Sequence, residues 1–545
     1  MGRLPREGID VALPPRKLFR EKAMTASSGR GGNNLVLSRR DLLAFTAMGL
    51  AATTLPASAN SPGQLTFAVH VALTPSWFDP AESTGIITPY LVMYALHDAI
   101  VKAMPGQIQA PSLAETVTIA KDGRTFDFVL RQNALFHNGE PVTANDVKFS
   151  YQRYRGADSS LLKQRVDKIE TSSARHIRIK LKEPWPDFLT FYAGATGAGW
   201  IVPEKYVTKV GEAGFKKAPI GAGPYKFVSF TPGNELVLEA FDQYWRKAPR
   251  VKRLVMKVMP DETTRVAALK RGEVDIAYSI RGEAAEAVKQ TSGLTLKPVA
   301  VQGTFCVYFA DQWDPKSPWY DPRVRRAASL AIDCQTINQA LTLGFSQVTG
   351  NPIVPNMYEY YWQPPKPVFD TAQAKRLLAE AGFPNGLDAG LYYCDASYAN
   401  IGEAVVNNLR EAGIKVQMRP IERAGFLKGY ADKQFKNLIQ AGPGAFGNAA
   451  TRLEMLVVKG GQFVYGSYPD IDALFPQQAM ETDRGKREAL LHKMQQMMVE
   501  RTIFAPIWQL AFINGVGPRV TESAFGLIAG FPYTAPYEDL ALKDG

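Results

Sequence analysis

The sequence predicts a mixed α/β fold in which several lobes pack together. Of its 545 residues, 46% are hydrophobic and 21% are charged, which is typical of a globular protein with a large core. Strand and helix signals alternate at short intervals along the chain, as they do in α/β folds. We find no internal repeat and, beyond the N-terminal segment, no low-complexity stretch that would act as a linker.

The first local signals lie between residues 121 and 147. Lys121-Asp122-Gly123 predicts a turn before an alternating strand at 125–130. His137-Asn138-Gly139-Glu140 predicts a second turn, of the Asn-Gly kind. Thr143, followed three residues later by Asp146, is typical of a capping box and predicts the start of a helix.

Three further helices are predicted to begin at an aspartate. Asp261 precedes a helix that Gly272 ends, with a strand following at 274–277. Asp321, followed by proline, precedes a helix that runs to residue 332. Asp370 precedes a helix over 372–381, which Gly382 closes.

The N-terminal segment, residues 1–59, is interpreted as an extension followed by a signal peptide. Residues 42–55 form an apolar run of 14 residues, too short for a bilayer, which needs about 20. Arg39-Arg40 precedes the run and Ala57-Ser58-Ala59 supplies a cleavage pattern. Arg39-Arg40 resembles a twin-arginine (Tat) signal, which we favour over a Sec signal or a buried helix. No cysteine follows the run, so no lipid anchor is expected, and either Met1 or Met24 can serve as the start.

Charge and motifs exclude several classes of function. The formal net charge is +11, but nine basic and four acidic residues precede Asn60, leaving about +6 on the mature chain. No basic cluster indicates a nucleic-acid partner. The histidines are scattered, and neither metal-binding spacings nor the hydrolase motifs GxSxG and HExxH occur, so neither an enzyme nor a metal site or cofactor is predicted.

We expect Cys306, Cys334 and Cys394 to be buried free thiols, and the alternative that two of them form a disulfide stays open.

Several blocks, spread over most of the chain in a fixed order, carry a family resemblance. They are Trp77-Phe78-Asp79-Pro80, Lys121 to Arg131, Phe136 to Val147, Pro219 to Tyr225, Tyr244-Trp245, Gly272 to Ala277 and Asp321 to Asp333. In this order they resemble the family 5 extracellular solute-binding proteins, the peptide, nickel and opine receptors of ABC importers. Ala222 departs from the family pattern, which has threonine there.

Most residues of these blocks have a structural explanation. We expect Gly221 and Gly223 to serve a backbone that needs positive φ. Tyr244 and Trp245 are expected in a core with their polar tips satisfied. The arginines of the last block are expected on a solvated or ion-paired helix face; they are Arg323, Arg325 and Arg326.

The resemblance implies a periplasmic-binding-protein type II fold with two hinged lobes and an extra inserted domain. The first lobe would comprise residues 60–94, 205–300 and 503–545, the insert 95–204, and the second lobe 301–502. A monomer in the periplasm would enclose a small solute as its lobes close and present it to an ABC permease and ATPase complex in the inner membrane. Two alternatives stay open: a sensory or chaperone-like binding protein and, less favoured, a periplasmic hydrolase.

The ligand is expected in the cleft between the lobes, near the strands that cross between them. Aromatic side chains would give it apolar contact and glycines would expose backbone to its polar atoms. The candidates are Thr74, Ser76, Trp77, Tyr278, Ser279, Phe305, Tyr308, Trp362, Gly442, Pro443, Gly444, Phe446 and Trp508.

One departure from the family bears on the ligand. Its peptide-binding members pair the α-amine of the ligand with an aspartate, and Gly442 lies about where that aspartate would be. No acidic residue occurs between Phe435 and Arg452. A buried ammonium without a counter-charge loses several kcal/mol of binding. A blocked peptide, an opine-like or sugar-like compound or a metal chelate therefore suits the chain as well as an oligopeptide does.

Overall fold

The computed structural model describes residues 61–83, 87–442 and 447–543. The predicted export segment lies outside this part of the chain. In the described ranges, no helix combines the length and the apolar character needed to cross a membrane.

Strands and helices alternate along most of the chain, apart from a run of strands early in it. The strands are β1 (Gln64–Val69), β2 (Asp98–Ala99), β3 (Val101–Met104), β4 (Gln107–Pro111), β5 (Ala114–Ile119), β6 (Thr125–Leu130), β7 (Val166–Ser173), β8 (His176–Leu181), β9 (Trp200–Ile201), β10 (Tyr225–Thr231), β11 (Glu235–Ala240), β12 (Arg253–Val258), β13 (Ile276–Ile280), β14 (Thr295–Phe309), β15 (Leu387–Asp395), β16 (Ile414–Ile421), β17 (Leu438–Ala441), β18 (Phe504–Val516), β19 (Val520–Glu522) and β20 (Ala541–Leu542). The helices are α1 (Tyr90–Leu96), α2 (Ala144–Arg153), α3 (Ser159–Arg165), α4 (Glu204–Lys217), α5 (Glu262–Lys270), α6 (Gly282–Lys289), α7 (Pro322–Leu330), α8 (Cys334–Thr342), α9 (Thr371–Glu380), α10 (Ala399–Glu411), α11 (Arg423–Ala431), α12 (Ala449–Leu456), α13 (Pro469–Met480) and α14 (Arg484–Glu500).

Two long antiparallel strands, β14 and β18, connect two lobes. Within the described residues, ten strands form one sheet in the order β10-β11-β12-β1-β13-β18-β14-β17-β15-β16. Strands β1 and β10–β13 belong to the first lobe, and β15–β17 to the second. The register of β14 against β18 shifts between Ala300 and Thr304, where the chain passes from one lobe to the other. A second shift follows between Phe305 and Cys306. Two irregularities in the ladder at this place are suited to act as a hinge.

A separate antiparallel sheet, in the order β5-β6-β8-β7, lies between β4 and β9 in sequence. One of its faces and helix α2 enclose their own apolar core, which includes Phe126, Phe128, Ile177 and Ile179. The short pair β2 and β9 stands at the two ends of this segment, where it leaves and rejoins the first lobe. We call residues 95–204 the insert; these and the other domain boundaries stay a prediction.

Several local predictions are confirmed. Strand β6 has the predicted bounds, and Gly139 has a φ of 84° in the Asn-Gly turn. Thr143 and Asp146 form the predicted capping box of α2 through reciprocal side-chain and backbone hydrogen bonds. Strand β13 begins at Ile276, two residues later than predicted. The three cysteines are buried free thiols, as expected.

The prediction of positive φ for Gly221 and Gly223 is wrong. Neither residue is among those with positive φ. Both glycines are needed because the chain passes very close to the end of α1. A Cβ atom on Gly221 would lie 1.9 Å from the carbonyl oxygen of Leu96, and one on Gly223 would lie 2.5 Å from that of Ala95.

Two neutral histidine rings lie against this glycine segment, and His137 is hydrogen-bonded to it. His137 donates from Nε2 to the carbonyl of Gly223 at 3.0 Å and accepts at Nδ1 from the backbone N–H of Gly221 at 3.2 Å. His97 donates from Nε2 to the carbonyl of Phe78 at 2.9 Å. Its Nδ1 is buried without a hydrogen-bond partner among the described residues, so a second proton there would have no acceptor.

We expect His97 to make the folded state sensitive to acid. Burial lowers the pKa of His97 to about 4. Between about pH 6.5 and 4 the unfolded chain therefore binds a proton that the folded chain does not, and stability falls as pH falls through this window. The free energy of unfolding, measured with urea, should drop by about 2 kcal/mol between pH 7 and pH 5 because of this group alone.

A His97→Gln variant should lose this part of the pH dependence, since the amide keeps a donor for Phe78. His176→Gln is the matched control. The His176 ring lies 3.0 Å from Asp127 on the surface of the insert sheet, away from the glycine segment, and its variant should retain the fall. An undiminished fall in His97→Gln would contradict the assignment.

Candidate functional site

The carboxyl ends of parallel strands from both lobes converge on one cleft. Strand β1 pairs in parallel with β13 in the first lobe, and β15 pairs in parallel with β16 in the second. Ligand sites of open α/β sheets form at such ends because the loops that follow the strands meet there. His70 directly follows β1, Arg281 follows β13, Tyr398 comes three residues after β15 and Arg423 two residues after β16.

Arg281 reaches from the first lobe to the second. Its Nη1 donates to the carbonyl of Ser397 at 3.2 Å, and its guanidinium lies 4.8 Å from the ring centroid of Tyr398. The Tyr398 ring in turn packs edge-on against Phe305 of β14, with centroids 4.9 Å apart. The two lobes therefore meet where a first-lobe cation lies over a second-lobe aromatic ring, and Phe305 supports that ring from behind.

Arg423 enters the same region from the second lobe. Its Nη1 donates to Asp395 Oδ2 at 2.8 Å; the Asp395 side chain is 8% exposed and that of Arg423 is 49% exposed. Burial acts to lower the pKa of Arg423, but Tyr398 and Asp395 outweigh it and raise the pKa. Arg423 is therefore half accessible to solvent and paired with a carboxylate that is nearly buried.

His70 forms the first-lobe wall of this cleft. Its ring stacks on Tyr533 at 5.8 Å between centroids and meets Phe512 of β18 at 6.1 Å. Burial, followed by the charges of Arg265, Arg281 and Arg423, lowers the pKa of His70 to about 3. The ring is therefore neutral near neutral pH, and the positive charge of the cleft comes from its arginines.

The structure places the predicted first-lobe residues around and behind this wall. Thr74 caps the short 3-10 helix Pro75–Phe78, where its Oγ1 accepts from the N–H of Ser76 at 3.4 Å, and Trp77 packs half-buried against the first-lobe core. Tyr278 is fully buried and contacts Tyr533 edge-on at 5.4 Å. Ser279, with a φ of 54°, donates its N–H to the side chain of Asn514.

Of the predicted second-lobe residues, Phe305 and Gly442 lie together. A Cβ atom on Gly442 would be 2.6 Å from the Phe305 ring, so only glycine fits there. Trp508 is the strand neighbour of Phe305, and Tyr308 packs on Phe504; both side chains are fully buried.

Trp362 lies elsewhere in the second lobe and donates its backbone N–H to the side chain of Gln495 at 3.1 Å. Pro443, Gly444 and Phe446 lie outside the described residues. The role of all these candidates in ligand binding stays a prediction.

Sequence reasoning missed His70, Arg281, Tyr398, Arg423 and Tyr533. The first four share one signal, a position shortly after a parallel strand, which points to the cleft once the strand order is known. Tyr533 lies in the C-terminal segment, which carries no such signal. In the described part of the chain, no cluster of three or more histidine, cysteine or acidic residues is arranged to hold a metal ion.

Two lobes, two connecting strands and strand ends that face one cleft define the type II periplasmic-binding-protein class. The sequence profile of the bacterial extracellular solute-binding proteins, family 5, matches residues 109–463, and the chain belongs to this family. It is therefore a solute-binding protein by family.

Individual relatives are distant. A glutathione-binding protein of Pectobacterium atrosepticum is 28% identical over 333 residues, which are 59% of this chain and 63% of the relative. A probable di/tripeptide-binding protein of Pseudomonas aeruginosa is 26% identical over 478 residues, or 81% of this chain and 90% of the relative. The structure of AgaA from A. tumefaciens R10, in complex with agropinic acid, is similar with a TM-score of 0.73 and 24% identity, covering 88% of this chain and 99% of AgaA.

Proposed function

We propose that the chain is the periplasmic receptor of an ABC importer, which captures a small solute between its lobes and delivers it to the membrane permease. The contact of Arg281 with Ser397 and Tyr398 carries this proposal, because it joins the lobes at the strand ends where a ligand would lie. A ligand that contacts both lobes favours the closed form, and the permease can read that form.

The solute is a small peptide-like or related compound. Gly442 supplies no carboxylate for an α-ammonium, and its place against Phe305 leaves no room for a side chain. A blocked peptide, an opine-like compound, a sugar-like compound or a metal chelate avoids a buried, unpaired ammonium. The names of the relatives refer to glutathione, to di- and tripeptides and to agropinic acid, which supports a peptide-like or related solute.

The twin-arginine segment and the cleavage pattern at residues 57–59 support export to the periplasm. The receptor would act there as a monomer and without catalysing a reaction. A sensory or chaperone-like role differs only in the partner that reads the closed form. Deletion of the gene should abolish uptake of the solute if that partner is a permease.

Native mass spectrometry of the protein purified from its own periplasm tests the receptor function. We expect one small molecule bound per chain, released on unfolding, and a smaller radius of gyration when it rebinds. Incubation with peptide and glycoside libraries forms the second arm. Turnover of a library member, or no solute and no compaction under any condition, would overturn the proposal.

A further inference from the structure

We propose that the cleft selects a small organic anion, and that Arg281 and Arg423 hold its carboxylate from opposite lobes. This inference deepens the proposed receptor function and rests on it. The two residues are called the arginine pair below. They determine specificity because the negative charge of the ligand, rather than an ammonium group of the ligand, would bridge the two lobes.

The arginine pair meets at residues 395–398, at and just after the end of β15. The Arg281 guanidinium lies over the Tyr398 ring and donates to the carbonyl of Ser397. Arg423 pairs with Asp395, whose Oδ1 accepts from the backbone N–H of the same Ser397 at 2.9 Å. Arg423 also acts on the His70 ring, as Arg281 does. One first-lobe and one second-lobe guanidinium thus share the same neighbours across the cleft.

Each member of the pair has donors to spare. A guanidinium has five N–H groups. Among the described residues, the Arg281 side chain donates to Ser397 and the Arg423 side chain to Asp395. The remaining donors can grip a carboxylate in the bidentate geometry that arginine prefers.

Arg265, close by, shows what a purely structural arginine looks like. It is 3% exposed, and its guanidinium donates to the four backbone carbonyls of Met259, Pro260, Tyr278 and Ser279. Its donors are used within the first lobe, but its charge adds to the positive field at His70.

The guanidinium of Arg281, which has no ion-pair partner among the described residues, favours an anion. In the described part of the chain, the carboxylates that contact this group of arginines are Asp395, on Arg423, and Glu262, which accepts from the backbone N–H of Arg281 at 2.9 Å. Asp261 also acts on Arg265, so three guanidinium groups lie near three carboxylates. Within the described ranges, however, the Arg281 guanidinium forms no ion pair, and its hydrogen bond goes to a backbone carbonyl. His70 adds a neutral ring whose buried Nδ1 has no partner among the described residues, and it can bind a hydroxyl or amide of the ligand.

The ligand class is therefore a small carboxylate without a free α-ammonium. An acylated amino acid, a blocked peptide and a sugar-derived acid share this chemistry. Truncating one side of a buried charge pair with its ligand typically costs a factor of about 100 in affinity or more.

The test compares a library of N-acetylated dipeptides that have free carboxylates with the same library as C-terminal amides. Affinity selection followed by calorimetry should show the carboxylates bound about 100-fold more tightly than the amides. Arg281→Gln and Arg423→Gln should each weaken carboxylate binding about 100-fold, and Arg423→Lys about 10-fold, because lysine keeps the charge without the fork. Lys428→Gln is the matched control on α11; its side chain is 75% exposed, and its affinity should not change.

The outcomes separate this inference from the receptor function. Equal binding of amides and carboxylates, or unchanged affinity in both arginine variants, overturns the anion inference while the receptor function stands. If neither library binds, the co-purified solute decides, and a solute without an acidic group overturns the inference. A protein that binds neither library members nor any co-purified solute overturns both.

Discussion

Replacing Arg325 with methionine should lower the free energy of unfolding by about 4 kcal/mol. Arg325 lies in α7 with 3% of its surface exposed, and burial lowers its pKa. Its guanidinium donates to the carbonyls of Trp319 and Tyr320, just before the helix, at 2.7 and 2.9 Å. It also donates to the carbonyls of Arg501 and Thr502, after α14, at 2.9 and 3.1 Å. Four buried acceptors that lose a donor cost about 1 kcal/mol each, measured by urea denaturation.

The neighbouring, exposed Arg326 is the matched control, and Arg326→Met should change the free energy of unfolding by less than about 0.5 kcal/mol. Arg325→Lys should restore only part of the loss, since an ammonium presents its donors at a single point and cannot reach four separated carbonyls. A loss below about 1 kcal/mol in Arg325→Met would show that water replaces the guanidinium at these carbonyls.

Arg325 also marks the limit of what the sequence predicts about the fold. The expectation that it lies on a solvated or ion-paired face is wrong, whereas Arg323 does pair with Asp321 as expected. Local signals such as the capping box of α2 depend on atoms within a few residues, so they are legible in the sequence. Two of the acceptors of Arg325 lie more than 170 residues away, and no local pattern reports them.

The candidate site shows the same division between features with a local sequence signal and features that depend on residues far apart in the chain. The prediction that ligand contacts follow the strands near the lobe crossing led to Phe305 and Gly442, which the structure places together. It overlooked Arg281 and Arg423 because arginines after a strand or helix are usually solvated. Arg271 is such a residue, exposed and paired with Glu273. Only the strand order of the folded sheet separates the cleft arginines from the solvated ones.

The insert contacts the second lobe through a buried ion pair. The Asp187 carboxylate, in the insert, accepts from Arg487 Nη2 at 2.5 Å and from Asn448 Nδ2 at 2.6 Å. The side chains of Asp187 and Arg487 are 8% and 5% exposed. Asn448 also caps α12, so the same side chain fixes the start of that helix. Because the insert is attached to the first lobe and its partners belong to the second, separating the lobes must break this pair.

Asp187→Ala should therefore weaken ligand binding about 100-fold. The variant loses the buried charge pair that opening of the lobes would have to break, and its closed form holds Arg487 without its carboxylate. Calorimetry with the co-purified solute measures the affinity, and the radius of gyration of the loaded protein reports closure. Arg487→Met alone should have a similar effect. The double variant should lose much less than the sum, because each single change already removes the same pair.

Glu212→Ala provides the control, since 52% of the Glu212 side chain is exposed and its ion-pair partners among the described residues, Arg155 and Arg153, belong to the insert. Its affinity should stay within about twofold, as expected for a surface ion pair. If the losses of Asp187→Ala and Arg487→Met add in full, the two side chains do not act as a pair. If neither variant changes affinity, the pair persists in the open form, and the insert moves with the second lobe rather than with the first.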